Sequence, residues 1–255
     1  MGWLLFAPFL VLFGCGRVGF DGSRGDSRLN DDAGESQYAE EVRRDAPLAY
    51  WRFGEASGTV AHDEIGGNDG LILGGVTRAP GPTNDGDLAV RFDGMSGRIE
   101  VGDIFRFAGN APYTVELWAM RDTVDSKVRW MIDRTSDGTP HEGWQIYTGA
   151  DFTLHSRSTN DVEVGYAGTD QFDDGQWRYL VATYDGDEAS FYRDGEFTGG
   201  MISPDPIGGP SGLLVFGDTT QGQFYKFDGV LDDIAIYDYA LSVTQVRAHF
   251  TASGR

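Results

Sequence analysis

Two sets of residues in this 255-residue chain carry groups that could do chemistry. The first is the pair Asp232-Asp233, set directly before Ile234-Ala235-Ile236-Tyr237. Ile234 and Ile236 lie two apart and share one face of a strand. The spacing therefore puts the two acids where that strand starts, pointing to opposite faces. The second set lies in Trp144-Gln145-Ile146-Tyr147 and in Phe152-Thr153-Leu154-His155-Ser156-Arg157. Alternation puts Trp144, Ile146, Phe152 and Leu154 on one face. If that face is core, Gln145, Tyr147, His155 and Arg157 project from the exposed side of a sheet. A ring beside several hydrogen-bonding groups is what sugar recognition needs, stacking on the apolar face and bonding the hydroxyls. The same residues also fit a solvated sheet face with a cross-strand Tyr–His pair.

Patterns for catalysis are missing. There is no Gly-x-Ser-x-Gly, no His-Glu-x-x-His and no phosphate loop. Glu116 stands alone between Val115 and Leu117, and His62, His141, His155 and His249 are scattered. The only cysteine, Cys15, precedes the patterned region, which excludes an intramolecular disulfide and a cysteine nucleophile there. The expectation is a non-catalytic binding module.

Several elements must position these groups. The strand candidates are short and evenly spaced, from Tyr50-Trp51-Arg52-Phe53 through Tyr113–Met120 and Arg178–Tyr184 to the segment ending at Tyr237. Asp194-Gly195 is a hairpin turn between Ala189–Arg193 and Glu196-Phe197. Ser242 and Gln245 form a capping box ahead of Val246 and Phe250, which predicts a short C-terminal helix. More than ten strands joined by Gly, Asp and Asn turns predict an all-β fold, a two-sheet antiparallel jelly-roll sandwich.

Residues 16–46 hold eight acids and five arginines and hardly any apolar content, which predicts a flexible acidic linker. That segment contributes −3 of the net −20, leaving −17 on the patterned region. A surface so acidic repels nucleic acid and anionic lipid and suits divalent cations and neutral ligands. Ahead of the linker, Trp3 to Phe13 is an apolar run of signal-peptide length, too short to span a bilayer. It ends Leu12-Phe13-Gly14-Cys15, which resembles the bacterial lipobox; Phe13 is bulkier than usual there, and no Lys or Arg precedes the run. The resemblance implies a signal over residues 1–15, lipidation at Cys15 and a place in the cell envelope, attached to the membrane only through the lipid. The alternative is a plain cleaved signal and a secreted protein.

Seven stretches in order resemble a laminin-G-like domain of the concanavalin A-like lectin/glucanase jelly rolls. They are Tyr50–Glu55, Asp63–Gly70, Val90–Gly94 with Ile99–Val101, Tyr113–Trp118, Gln176–Gly186, Phe191–Gly195 and Gly229–Leu241. The resemblance covers nearly all of residues 47–251 and implies that Trp51, Trp118 and Trp177 are packing residues. It also implies a structural calcium ion where the opening strand, the Asp63 loop and the Asp232 strand converge. Carried onto this chain, the ligands would be Glu55, Asp63, Asp93 and Asp232, with an oxygen from Asn68, the hard oxygens that Ca2+ takes. The other reading of Asp63, Asn68 and Asp93 is as ordinary turn formers. The glucanases of this fold carry a Glu-x-Asp-x-x-Glu type of strand, and none occurs here. Members of the family differ in function. The partner expected is therefore a polysaccharide or glycoprotein, with a surface protein as the alternative and nucleic acid excluded.

Overall fold

Apolar alternation closes this chain into two antiparallel sheets, with helices on the outside of one of them. The computed structural model describes residues 1–2, 36–83, 86–121, 125, 127–136, 141–149, 152–157, 163–167, 174–202, 206–219 and 226–255. The helices are α1 (Gln37–Arg44) and α2 (Val243–Ala252). The strands of the first half are β1 (Ala49–Trp51), β2 (Val60–Ala61), β3 (Gly70–Leu73), β4 (Val76–Pro80), β5 (Leu88–Asp93), β6 (Arg98–Gly102), β7 (Tyr113–Met120) and β8 (Arg129–Thr135). Those of the second half are β9 (Gly143–Thr148), β10 (Phe152–Arg157), β11 (Glu163–Ala167), β12 (Arg178–Tyr184), β13 (Glu188–Arg193), β14 (Glu196–Ile202), β15 (Leu214–Phe216) and β16 (Asp228–Tyr237).

Sheet A runs β14-β13-β12-β7-β16-β5-β4, with β1 also paired to β16; sheet B runs β11-β10-β9-β8-β15-β6-β3-β2. The inner faces meet in one apolar core. Trp51, Val115, Leu117, Ile132, Trp144, Ile146, Leu154, Phe216, Ile234 and Ile236 belong to it. The expected all-β sandwich is what forms, and the expected inward set (Trp144, Ile146, Phe152, Leu154) is in that core. Asp194 and Gly195 both adopt positive φ, 51° and 81°, as the two central residues of a type I′ hairpin require. The capping box on α2 is present in both directions.

Two expectations change. The Asp232-Asp233 pair is not at the mouth of its strand but in the middle of β16. β5 pairs with β16 up to Leu231, β1 takes over from Ile234, and the register against β7 slips between Asp232 and Ala235. Asp233 has φ 49°, so the pair sits on a bulge where one neighbour strand hands over to another. The linker expected over 16–46 also ends early, because the compact unit begins at Glu35. Ser36 caps α1, and Tyr38, Ala39 and Val42 are fully buried against Tyr50, Trp118, Tyr179 and Tyr237 on the outer face of sheet A. Eight residues of helix are marginal alone, so this packing is what forms α1. The lipobox with Cys15 and the rest of the linker lie outside the described residues.

Candidate functional site

The outer face of sheet B is polar around one carboxylate. Asp133 on β8 is fully buried. Its Oδ1 accepts from Thr135 Oγ1 at 2.7 Å and Gln145 Nε2 at 3.0 Å, and its Oδ2 from Thr219 Oγ1 at 2.6 Å. β8 and β9 place Asp133 opposite Gln145, and β10 adds His155 opposite Gln145. One cross-strand row therefore runs Asp133, Gln145, His155. The next row runs Trp130, Tyr147, Thr153. Trp130 and Tyr147 meet edge to face with centroids 4.3 Å apart. Tyr147 is half-buried, so part of the ring pair reaches solvent. Beyond Thr219, the carboxylate of Asp218 accepts from Lys226 Nζ at 2.6 Å. The face thus carries a buried, internally bonded polar row next to a partly exposed aromatic pair, a ring surface of the kind that stacks on sugars.

Of the residues expected here, Tyr147 stands as foreseen. Gln145 does not project freely: it is 2 % exposed and spends its amide on Asp133 and Thr135. His155 and Arg157 take their register positions opposite Gln145 and Gly143, and their side chains lie outside the described residues. Asp133 and Thr135 had a legible signal, since they alternate with Ile132. Thr219, Asp218 and Lys226 sit in irregular chain, where no periodicity marks them.

Of the five residues expected to hold calcium, Asp63 and Asn68 are bonded to each other. Asp63 organises its own loop. It accepts the backbone N–H groups of Tyr50, Ile65, Gly66 and Asn68 and the Asn68 side-chain amide, all at 2.8–3.1 Å. Burial works against its charge, but these bonds outweigh burial and hold its carboxyl below the usual range. Asp93 does the same for the turn Met95–Gly97, and the same balance holds it well below that range. Glu55 accepts from His62 N at 2.8 Å. Asp232 is buried beside Asp233, Asp87 and Arg52; burial and then the two neighbouring carboxylates push its carboxyl well up. Among the described residues no group of three or more His, Cys, Asp and Glu is arranged to hold a metal ion. Both oxygens of Asp63 are thus occupied by N–H groups, whereas Glu55 Oε2 is buried without a hydrogen-bond partner among the described residues.

A second buried carboxylate lies under the helices. Glu116, on the outer face of β7, accepts from the hydroxyls of Tyr179 and Tyr237 and from His249 Nδ1 at 2.9 Å. His249 Nε2 meets Asp45 Oδ2 at 3.1 Å at the end of α1. Burial opposes a charge on His249, but the attraction and hydrogen bonds of Glu116 and Asp45 overcome it and lift the imidazole from 6.5 to about 9. This network is sealed by α1 and α2, and it clamps both helices to sheet A. Trp51 and Trp118 are fully buried packing residues, as expected, and Trp177 packs partly buried beside Trp118.

Residues 93–247 match the family described as the concanavalin A-like lectin/glucanases superfamily. That is more than half of the chain, and the protein belongs to this family. No curated protein matches the chain. Among solved structures, the binding domain of Paraclostridial Mosquitocidal Protein 1 superposes with TM-score 0.66 at 14 % identity, over 82 % of this chain and 52 % of that one. Domain 4 of AbnA, an extracellular arabinanase from Geobacillus stearothermophilus solved with arabinotriose, gives 0.61 at 19 %, over 80 % and 97 %. The botulinum neurotoxin serotype D ligand-binding domain solved with N-acetylneuraminic acid gives 0.60 at 14 %, over 85 % and 52 %. The chain thus spans about half the length of the toxin domains and nearly all of the arabinanase domain. At these identities the likeness is one of fold.

Proposed function

We propose that this member of the concanavalin A-like superfamily is a non-catalytic module that holds an extracellular polysaccharide on the outer face of sheet B. The observation that carries the reading is the fixed set Asp133–Gln145–Thr135–Thr219 beside the half-buried Tyr147. Two relatives by fold were solved with sugars bound, which supports the class of ligand. The lipobox-like Cys15 supports attachment to the cell envelope through a lipid, and Cys15→Ser is expected to release the protein from the membrane fraction. Calcium has no step in this reading.

A glycan array probed with the full-length chain tests the proposal. Binding to a defined glycan is expected, weakened about tenfold or more by Tyr147→Ala with the melting temperature unchanged. Hydrolysis products in the same incubations would overturn the non-catalytic part. A second reading, adhesion to a protein, has one observation in its favour: the edge strand β14 exposes Phe197, Met201 and Ile202. Absence of any glycan binding, with Phe197→Ser abolishing retention of the protein on its cell surface, would establish that reading instead.

A further inference from the structure

One end of the same face carries a pocket that the residues above do not fill. It has a volume of about 320 Å³ and is lined by Met95, Ser96, Arg98 and Lys226. Lys226 forms a parallel backbone bridge with Trp130, the residue whose ring meets Tyr147. Arg98 lies on β6 next to core residue Ile99, and its side chain therefore stands on the outer face of sheet B.

Both cations are held in place by carboxylates. Arg98 Nε donates to Glu100 Oε1 at 2.7 Å, and Lys226 Nζ donates to Asp218 Oδ2 at 2.6 Å. The Lys226 and Asp218 side chains are only 15 % and 8 % exposed, so the second pair is largely out of water. Glu100 and Asp218 are not lining residues; each stands behind a lining cation and compensates its charge. A guanidinium has five N–H groups and an ammonium three. Arg98 and Lys226 each give one bond to their carboxylate, so the pocket presents further N–H donors at fixed positions.

The oxygens of a vicinal diol accept hydrogen bonds, and a guanidinium and an ammonium supply them as charge-assisted bonds. A carboxylated or sulfated sugar would meet cations whose charge Glu100 and Asp218 already compensate, on a protein of net charge −20. Met95, 75 % exposed at the pocket edge, offers a polarizable apolar contact for the C–H side of a ring. We infer that this pocket is a subsite for a neutral glycan unit, whose vicinal hydroxyl oxygens accept from Arg98 and Lys226 while Glu100 and Asp218 hold those cations and compensate their charge. The inference rests on the glycan reading of the sheet B face and names its ligand class.

Affinity electrophoresis of the full-length chain tests it, with gels containing linear arabinan, xylan, galactan or mannan as neutral polymers and polygalacturonate or alginate as acidic ones. Retardation by at least one neutral polymer and by neither acidic one is expected. Arg98→Gln and Lys226→Met should each weaken that retardation about tenfold. Arg98→Gln should keep the wild-type melting temperature, because its side chain is 37 % exposed. Stronger retardation by an acidic polymer overturns the inference. So does wild-type retardation of both pocket variants alongside loss in Tyr147→Ala, an outcome that leaves the glycan reading standing. Retardation by none of the six polymers would remove both.

Discussion

Glu116 and Asp133 are both fully buried carboxylates on central strands, one on the outer face of each sheet, yet their surroundings differ in kind. Glu116 faces a protonatable imidazole and two phenols beneath two helices. Asp133 accepts from an amide and two hydroxyls on the neighbouring strand, its own strand and the chain after β15. The first arrangement matches charge with charge and excludes solvent, which serves cohesion. The second ties a row of polar side chains to one another, and it keeps company with a partly exposed ring. A buried carboxylate in this fold is thus a fastener or part of a binding surface according to what covers it.

The largest effect that would break this contrast is on the fastener. Glu116→Ala leaves a buried imidazole and two phenols without their acceptor and should cost about 3–5 kcal/mol in urea unfolding. A loss below about 1 kcal/mol would mean that the network holds little. Removing residues 1–46 deletes α1 and uncovers the aromatic face of Trp118 and Tyr179. Relative to a chain starting at Glu35, that truncation should lose roughly 3 kcal/mol or more, the order expected for unburying a tyrosine and a valine with their neighbours. Equal stability would return α1 to the linker.

The pH dependence follows from His249. Its folded value, about 9, lies above its ordinary 6.5. The stability it contributes is therefore complete below about pH 6.5 and is lost as pH rises through about 9. A loss of about 3 kcal/mol between pH 6.5 and 10 is expected, and His249→Gln should flatten that slope. Parallel curves for the two proteins would contradict the buried ion pair.

On the other face, Asp133→Ala should cost roughly 1–3 kcal/mol, since it strands a buried amide and two hydroxyls. It should also reduce glycan binding, unlike Glu116→Gln. The smallest effect expected is none: melting curves with calcium and with chelator should superpose. A rise of several degrees with calcium, abolished by Asp232→Ala, would instead bring Asp232 into a metal site.

Much of the fold was legible because it depends on local periodicity. Trp144 and Ile146, two apart, went to the core, and Ser242 with Gln245 capped α2. α1 was hidden because its apolar residues are only Tyr38, Ala39 and Val42 in an otherwise charged stretch, a stripe with meaning only against the aromatic face it covers. The face of Gln145 was read correctly and its burial was not. Alternation tells which way a side chain points and says nothing of how deeply distant parts of the chain bury it.

Glu116 shows the same limit. Flanked by Val115 and Leu117, it reads as a solvent-facing acid on a half-buried strand, but helices from both ends of the unit close over it. His249 and Asp45 lie far from it along the chain and meet it only when those helices dock. The sequence by itself determined the all-β character, the inward residues, the hairpin and the helix cap, because each rests on contacts within a few residues. Tertiary structure decided which acids are paired, which are filled by backbone amides and which line a surface. Those outcomes depend on charges and hydrogen-bond partners brought together from distant parts of the chain, and on how much water the fold leaves between them.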